Sequence, residues 1–192
     1  MKNKKLYILF IAMLFASGSF AQIIIDSTDM PSIGDTIMRA NDSILPPSVA
    51  VGGLGLQSWD FMGMQIDYLD TLRFVDPATT PYAADFSSSN LAIEGIQPTV
   101  FQSLSSLLIS NDGYAGNDPF GAGVIMKAKN NPPQSLLKYP ATDGSFFSDT
   151  STFQVDIAAA GLGLPVPNLD SIRIIHNSYA NSIIDAFGTM NL

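Results

Sequence analysis

The segment Thr152-Phe153-Gln154-Val155-Asp156-Ile157-Ala158 alternates polar and apolar side chains from Thr152 to Ile157. Phe153, Val155 and Ile157 fall on one side of an extended backbone, and the polar side chains fall on the other. A period of two residues is typical of a β-strand with one buried face. The sequence therefore predicts that this part of the chain belongs to a sheet.

Two isoleucine-rich runs follow in the sequence, at 171–176 and 182–187. The five residues between them are a common length for a hairpin connection, so we expect a β-hairpin here. Ile172 and Ile174 would lie on one face and Ile175 on the other. This arrangement predicts a sheet that is covered on both sides for part of its width.

Six earlier runs also have strand character, and clusters of Gly, Pro, Asn and Asp separate them. The runs are 22–25, 35–39, 59–64, 68–75, 91–94 and 123–127. The clusters are 46–47, 52–55, 76–77, 111–113, 131–133 and 143–144. Short strands and turns at this spacing predict an all-β fold, either an antiparallel β-sandwich or a strongly curved sheet or half-barrel.

One segment, 100–108, conflicts with this pattern. Val100, Phe101, Leu104, Leu107 and Leu108 have the spacing of a helical stripe. The serines between them, and the lack of a charged pair on the polar side, favour a strand instead. The prediction is at most one short helix near 100–108.

The composition supports a β-rich chain without disulfides. The 192 residues include no cysteine, and 16 of the 17 acidic residues are Asp. Asp favours turns and strand ends, whereas Glu suits helix interiors, and Glu94 is the single Glu. The absence of cysteine excludes thiol catalysis and cysteine-ligated zinc.

The first 21 residues predict export. Lys2, Lys4 and Lys5 precede an apolar run from Leu6 to Ala16, and small residues stand before Gln22, as in a cleaved signal peptide. Removing residues 1–21 leaves one domain, 22–192, with six basic and 17 acidic residues and a net charge of −11. Such a charge disfavours nucleic acid as a partner.

After cleavage no transmembrane helix is expected, because no later apolar run is long enough to span a bilayer. The expected location is the periplasm, the outer cell surface or the extracellular space. The last five residues begin a new segment after a turn. This ending predicts a chain that is truncated and continues past Leu192.

Several short motifs resemble a group of secreted Bacteroidetes proteins. They are Ala21-Gln22, Asp29-Met30-Pro31 with Gly34-Asp35-Thr36, Trp59-Asp60-Phe61, Tyr139-Pro140 with 143–149, and Asp185-Ala186-Phe187-Gly188-Thr189-Met190. The resemblance is to the N-terminal domains of type IX secretion substrates, and it implies a cell-surface compartment and a β-rich fold. Members of that group usually carry a C-terminal sorting domain, which these 192 residues do not include.

The chain offers few residues for catalysis. His176 is its only histidine, and no Gly-x-Ser-x-Gly motif supplies a nucleophile, so we expect a strand histidine rather than a catalytic triad. One histidine cannot supply the usual zinc ligands. The expectation is no enzyme and no cofactor; the alternative is a secreted polysaccharide-acting hydrolase that uses Asp carboxylates.

The segment 111–118 is the best metal candidate. It holds four side chains with oxygen atoms around two glycines, and Ca²⁺ binds six to eight hard oxygens. Asp112 and Asp118 would be the acidic ligands. The alternative interpretation is a turn, since Asn, Asp and Gly tolerate positive φ.

Asp followed by Ser or Thr and then an aliphatic residue or Thr occurs five times. This tripeptide resembles an O-glycosylation site of exported Bacteroidetes proteins. The resemblance implies five candidate acceptors: Ser27, Thr36, Ser43, Thr71 and Ser171. The alternative is a boundary between a turn and a strand.

Together these features predict a non-catalytic extracellular or cell-surface domain with a structural, adhesive or ligand-binding role. Its partner would be an extracellular ligand or a component of the cell surface. The residues themselves do not specify which ligand.

Overall fold

The computed structural model describes residues 24–43, 55–61, 64–95, 98–118, 123–159 and 169–191, with only the backbone at 59–60 and 186–191. The predicted signal peptide lies outside these residues. The described part contains ten strands and two 3-10 helices, Ser27–Asp29 and Pro77–Thr79. The strands are β1 Thr36–Asn41, β2 Gly55–Asp60, β3 Tyr68–Val75, β4 Leu91–Glu94, β5 Thr99–Leu104, β6 Leu108–Asn117, β7 Ile125–Lys138, β8 Phe146–Ala158, β9 Ser171–Ile183 and β10 Ala186–Asn191.

Eight of these strands form one open antiparallel sheet in the order β1-β3-β4-β5-β6-β7-β8-β9. β2 and β10 form a separate parallel pair. Within the sheet, successive strands from β3 to β9 are neighbours, so the chain folds back and forth across it. The predicted all-β class is therefore confirmed.

The alternating segment 152–158 lies in β8 as predicted, and the bounds of β3 and β4 agree with the predicted runs 68–75 and 91–94. Along β8, Val155 and Ile157 are buried while Gln154 and Asp156 are exposed. The period of two thus indicates the buried face correctly, because successive side chains of a strand point to opposite faces.

The predicted hairpin over 171–187 is wrong. Residues Ser171–Ile183 form one continuous strand, paired with β8 at 13 consecutive positions. Since β8 begins at Phe146, its full length is available to pair the residues that we expected to form a turn. Ile175 is 57% exposed, so the described residues do not cover that face of β9.

Segment 100–108 contains no helix. Thr99–Leu104 is β5, and Leu108 begins β6. Two predicted turns are also wrong, because 111–113 lies inside β6 and 131–133 inside β7. In the register of β6 with β7, Asn111 and Gly113 each have a partner residue, and Asp112 between them is skipped. The Asn-Asp-Gly sequence marks an irregularity in a strand, a place where glycine is also favoured.

The sheet buries apolar side chains on both faces around β6. On one face, Phe86 from the connection between β3 and β4 packs with Ala92, Phe101 and Ala115. On the other face, Ala128, Val155 and Ile157 form a second cluster with partly buried neighbours. The second cluster borders the cleft described below.

Neither 3-10 helix, nor any other helix within the described residues, has the length and hydropathy needed to cross a bilayer.

Candidate ligand-binding cleft

A cleft of about 470 Å³ lies against the face of the sheet that carries the second cluster. Strands β6, β7 and β8 each contribute to it. Its described lining residues are Pro98, Tyr114, Asn117, Asp118, Met126, Ala128 and Phe153. The lining is predominantly apolar, and its volume is within the range of small-molecule sites.

The strand register places these side chains together. Tyr114 of β6 is paired with Ala128 of β7, and Gly116 is paired with Met126. Because side chains alternate along a strand, Met126 and Ala128 share one face of β7, while Lys127 and Lys129 lie on the other. Lys127 forms an ion pair with Asp85 on that other face (2.7 Å). The apolar side chains of this part of β7 therefore face the cleft, and the lysines face away from it.

Phe153 is the centre of an aromatic group at the cleft. The Tyr114 ring meets Phe153 edge-on, with ring centroids 6.4 Å apart and planes at 69°. His176, the residue of β9 paired with Phe153, stacks on it with centroids 5.0 Å apart. Such pairs hold rings in fixed orientations. His176 is an exposed residue of β9 on the same face as Ile172 and Ile174, so the expected position in a strand is confirmed.

The polar part of the lining is built around the end of β6. The Val124 amide donates a hydrogen bond to Asp118 Oδ2 (2.9 Å), and the Asp118 amide donates to the Val124 carbonyl oxygen (2.9 Å). The side-chain amide Nδ2 of Asn111 donates to the Tyr114 hydroxyl oxygen, so this hydrogen bond as well as the Phe153 contact orients the Tyr114 ring. These bonds fix the lining before a ligand arrives.

Asp112 and Asp118, the candidate calcium ligands, have different surroundings. Asp112 is buried inside β6, where its carboxylate accepts hydroxyl hydrogen bonds from Ser89 (2.6 Å), Ser103 and Ser110 (3.3 Å). Asp118 lies in the cleft wall instead. The described residues contain no group of three or more His, Cys, Asp or Glu able to hold a metal ion. Residues 111–117 of the candidate calcium segment belong to β6, and Asp118 follows its end.

The five candidate glycan acceptors are dispersed over the fold. Thr36 and Ser171 are exposed first residues of β1 and β9, as the turn-to-strand interpretation predicts. Thr71 lies inside β3, Ser27 begins a 3-10 helix, and Ser43 is exposed and donates its hydroxyl to Asp67. The boundary interpretation is therefore wrong for Thr71 and for Ser27, since no strand begins at either residue. Glycosylation itself stays a prediction.

The cleft was not expected from the sequence. A signal was present in Met126-Lys127-Ala128-Lys129, which alternates in the same way as 152–158. Without the register of β6, β7 and β8, however, nothing shows that Met126, Tyr114 and Phe153 meet.

Comparisons with protein-family models, with curated proteins and with solved structures return no match to this chain.

Proposed function

We propose that this chain is a non-catalytic extracellular or cell-surface domain that binds a small apolar or aromatic group in the cleft between Tyr114, Met126 and Phe153. The single observation that supports the proposal most is the composition of that cleft. Its walls are apolar and aromatic, with few polar groups to orient a ligand, which is the usual character of a small-molecule site. The predicted signal peptide supports the extracellular location.

The same cleft bears on the hydrolase alternative. Glycoside hydrolysis commonly needs two carboxylates on either side of the bond that is cleaved. Asp118 is the one carboxylate among the described lining residues, and one of its oxygens accepts the Val124 amide. This composition supports binding over hydrolysis. We expect no release of reducing sugar from soluble polysaccharides; release that disappears in Asp118→Asn would contradict the proposal.

Binding is tested with N-phenyl-1-naphthylamine, a neutral apolar dye that fluoresces when it leaves water. We expect saturable fluorescence with the unmodified chain. Met126→Lys replaces apolar lining by an ammonium group and should weaken binding at least about tenfold, because an apolar dye cannot replace the water that this charge would lose. The chain offers a matched control in Ile125→Lys, one residue away, where the side chain is 48% exposed.

The control variant should bind the dye as the unmodified chain does. Absence of saturable binding, or equal weakening by the two variants, would refute the cleft as the binding site. Circular dichroism of both variants establishes that the sheet is retained.

A further inference from the structure

Strand β9 lies at one end of the eight-stranded sheet. Its inner edge is paired with β8 over 13 positions without a register shift. No described residue pairs with its outer edge. A long regular edge is a template for another strand, because its backbone groups are unpaired.

Hydrogen bonds at the two ends of β9 show which residues face outward. The Ile184 amide donates to the Ser145 carbonyl (2.9 Å), and the Asp170 carbonyl accepts from the Ala159 amide (3.0 Å). Since hydrogen-bonded and non-bonded positions alternate in an antiparallel pair, the even-numbered residues bond to β8. The odd-numbered residues therefore direct their backbone groups outward: Ser171, Arg173, Ile175, Asn177, Tyr179, Asn181 and Ile183.

This edge lacks the usual protection against pairing. It contains no proline and no lysine, and its single charge, Arg173, donates from Nε to Asp156 of β8 at 2.7 Å. Tyr179 and Ile183 are 79% and 57% exposed. The edge is thus regular, almost uncharged and partly apolar.

We propose that a second copy of this chain adds to the edge as an antiparallel β9 strand, with a two-fold axis at Asn177. In this register Ile175 lies opposite the partner's Tyr179, a favourable pair of a β-branched and an aromatic side chain. Arg173 lies opposite the partner's Asn181, so no like charges meet. The seven outward residues on each copy supply about 14 backbone hydrogen bonds, near the upper end of what protein interfaces usually contain.

The small area of the proposed β9–β9 contact predicts a weak dimer. Thirteen residues extend about 43 Å, and a sheet about 10 Å thick gives a footprint of roughly 430 Å² on each copy. A standard interface covers about 800 Å² per partner, so the dimer should dissociate on dilution.

The test is sedimentation of the purified chain across roughly 5–500 µM, a range that covers weak association. The unmodified chain should pass from monomer to dimer and stop at two copies. Asn177→Pro removes an outward backbone amide without removing a backbone hydrogen bond to β8, and it should weaken dimerisation at least about tenfold. It also removes the hydrogen bond that the Thr152 hydroxyl of β8 donates to Asn177 Oδ1 (2.8 Å), so its fold is checked by circular dichroism.

Tyr179→Lys replaces the aromatic partner of Ile175 by a charged side chain on both copies, near the two-fold axis. It should weaken dimerisation at least about tenfold, and the fold should be retained because Tyr179 is 79% exposed. Its control is Thr150→Lys, which puts the same charge beside it on β8, one strand inward, and should dimerise normally. The proposal is overturned by a chain that stays monomeric at the highest concentration, by association that continues past two copies, or by equal effects of the two lysine variants. If Asn177→Pro does not fold, Tyr179→Lys decides the outcome.

Discussion

Phe86 stacks on Phe101 with ring centroids 4.0 Å apart and planes 4° from parallel. Both rings are buried, at 2% and 0% exposure. Phe101 belongs to the middle of the sheet, whereas Phe86 belongs to the long connection between β3 and β4. The stack therefore attaches that connection to the sheet and covers part of one face.

Phe101→Ala should lower the free energy of unfolding by about 3–5 kcal/mol, because it leaves a cavity beneath Phe86. Urea denaturation followed by circular dichroism measures the loss. Phe146→Ala is the control, since Phe146 is 66% exposed, and it should cost less than about 1 kcal/mol. Similar losses for the two variants would show that the Phe101 site is not a core site.

Gly113→Ala should be strongly destabilising, because a Cβ atom there would lie 2.1 Å from the Ala128 carbonyl oxygen and 2.8 Å from the Phe86 ring. The backbone φ of +148° adds strain for a side chain. Gly144 is the control that separates backbone strain from steric overlap. Its φ is also positive, at +80°, but nothing lies within 4 Å of a Cβ atom there. Gly144→Ala should cost about 1–2 kcal/mol, and Gly113→Ala more, in the same unfolding assay.

Asp112→Ala should lower the free energy of unfolding by about 2 kcal/mol or more, because the Ser89 and Ser110 hydroxyls lose their carboxylate acceptor. The Ser103 hydroxyl keeps only the longer bond to the Ser88 carbonyl oxygen (3.3 Å). Ser89→Ala removes one donor and should cost less, about 1 kcal/mol. A neutral effect of Asp112→Ala would mean that the hydroxyl cluster around Asp112 contributes nothing to stability.

The occupied Asp112 carboxylate also leads to a prediction about calcium. A ligand that binds only the folded state raises the melting temperature. Because Asp112 is already bonded to three hydroxyls inside a strand, we expect the same melting midpoint with added Ca²⁺ as with a chelator. A midpoint that rises with Ca²⁺ and falls with chelator would restore the calcium interpretation of 111–118.

Two exposed ion pairs predict how stability responds to acid. Hydrogen bonds from Arg173 lower the pKa of Asp156 below its ordinary value of 3.8, and Arg39 does the same to the pKa of Asp70. A lowered pKa in the folded state means that the carboxylate stabilises the fold above its unfolded pKa. That contribution is lost as the pH falls through the folded pKa, below about 3.8.

The measurement is urea unfolding at pH 5 and at pH values below 3.8, with the unmodified chain and Asp156→Asn. The variant should lose less stability on acidification than the unmodified chain does. Since both members of the pair are exposed, the difference is expected to be small. A larger acid-induced loss in the variant would contradict the assigned direction.

Much of the fold follows from local alternation in the sequence. Residues 152–157 carry a side-chain period of two, and 68–75 is rich in Tyr, Leu, Thr, Phe and Val, which suit a strand. Both signals depend on one strand alone, so the sequence is sufficient to predict these elements. The Asn-Asp-Gly at 111–113 and the Asn-Pro-Pro at 131–133 are different, because such residues suit turns and strand irregularities alike. Only the neighbouring strands decide between the two.

The cleft was beyond prediction for a related reason. Tyr114, Met126 and Phe153 come from three strands, and they meet only through the register of β6 with β7 and of β7 with β8. The composition of Asn177-Ser178-Tyr179 likewise favours a turn. These residues belong to β9 instead, because β8 is long enough to pair with them. Both features depend on pairing between distant residues.

Ligand binding in the cleft is tested most directly by nuclear magnetic resonance of the methionine methyl groups during titration with N-phenyl-1-naphthylamine. Met126 lines the cleft, whereas Met38 on β1 is 70% exposed and remote from it in the strand order. We predict that the Met126 methyl resonance shifts with saturation and shows contacts to the dye, while that of Met38 does not move. An unchanged Met126 resonance at saturating dye would contradict binding of the dye in the cleft.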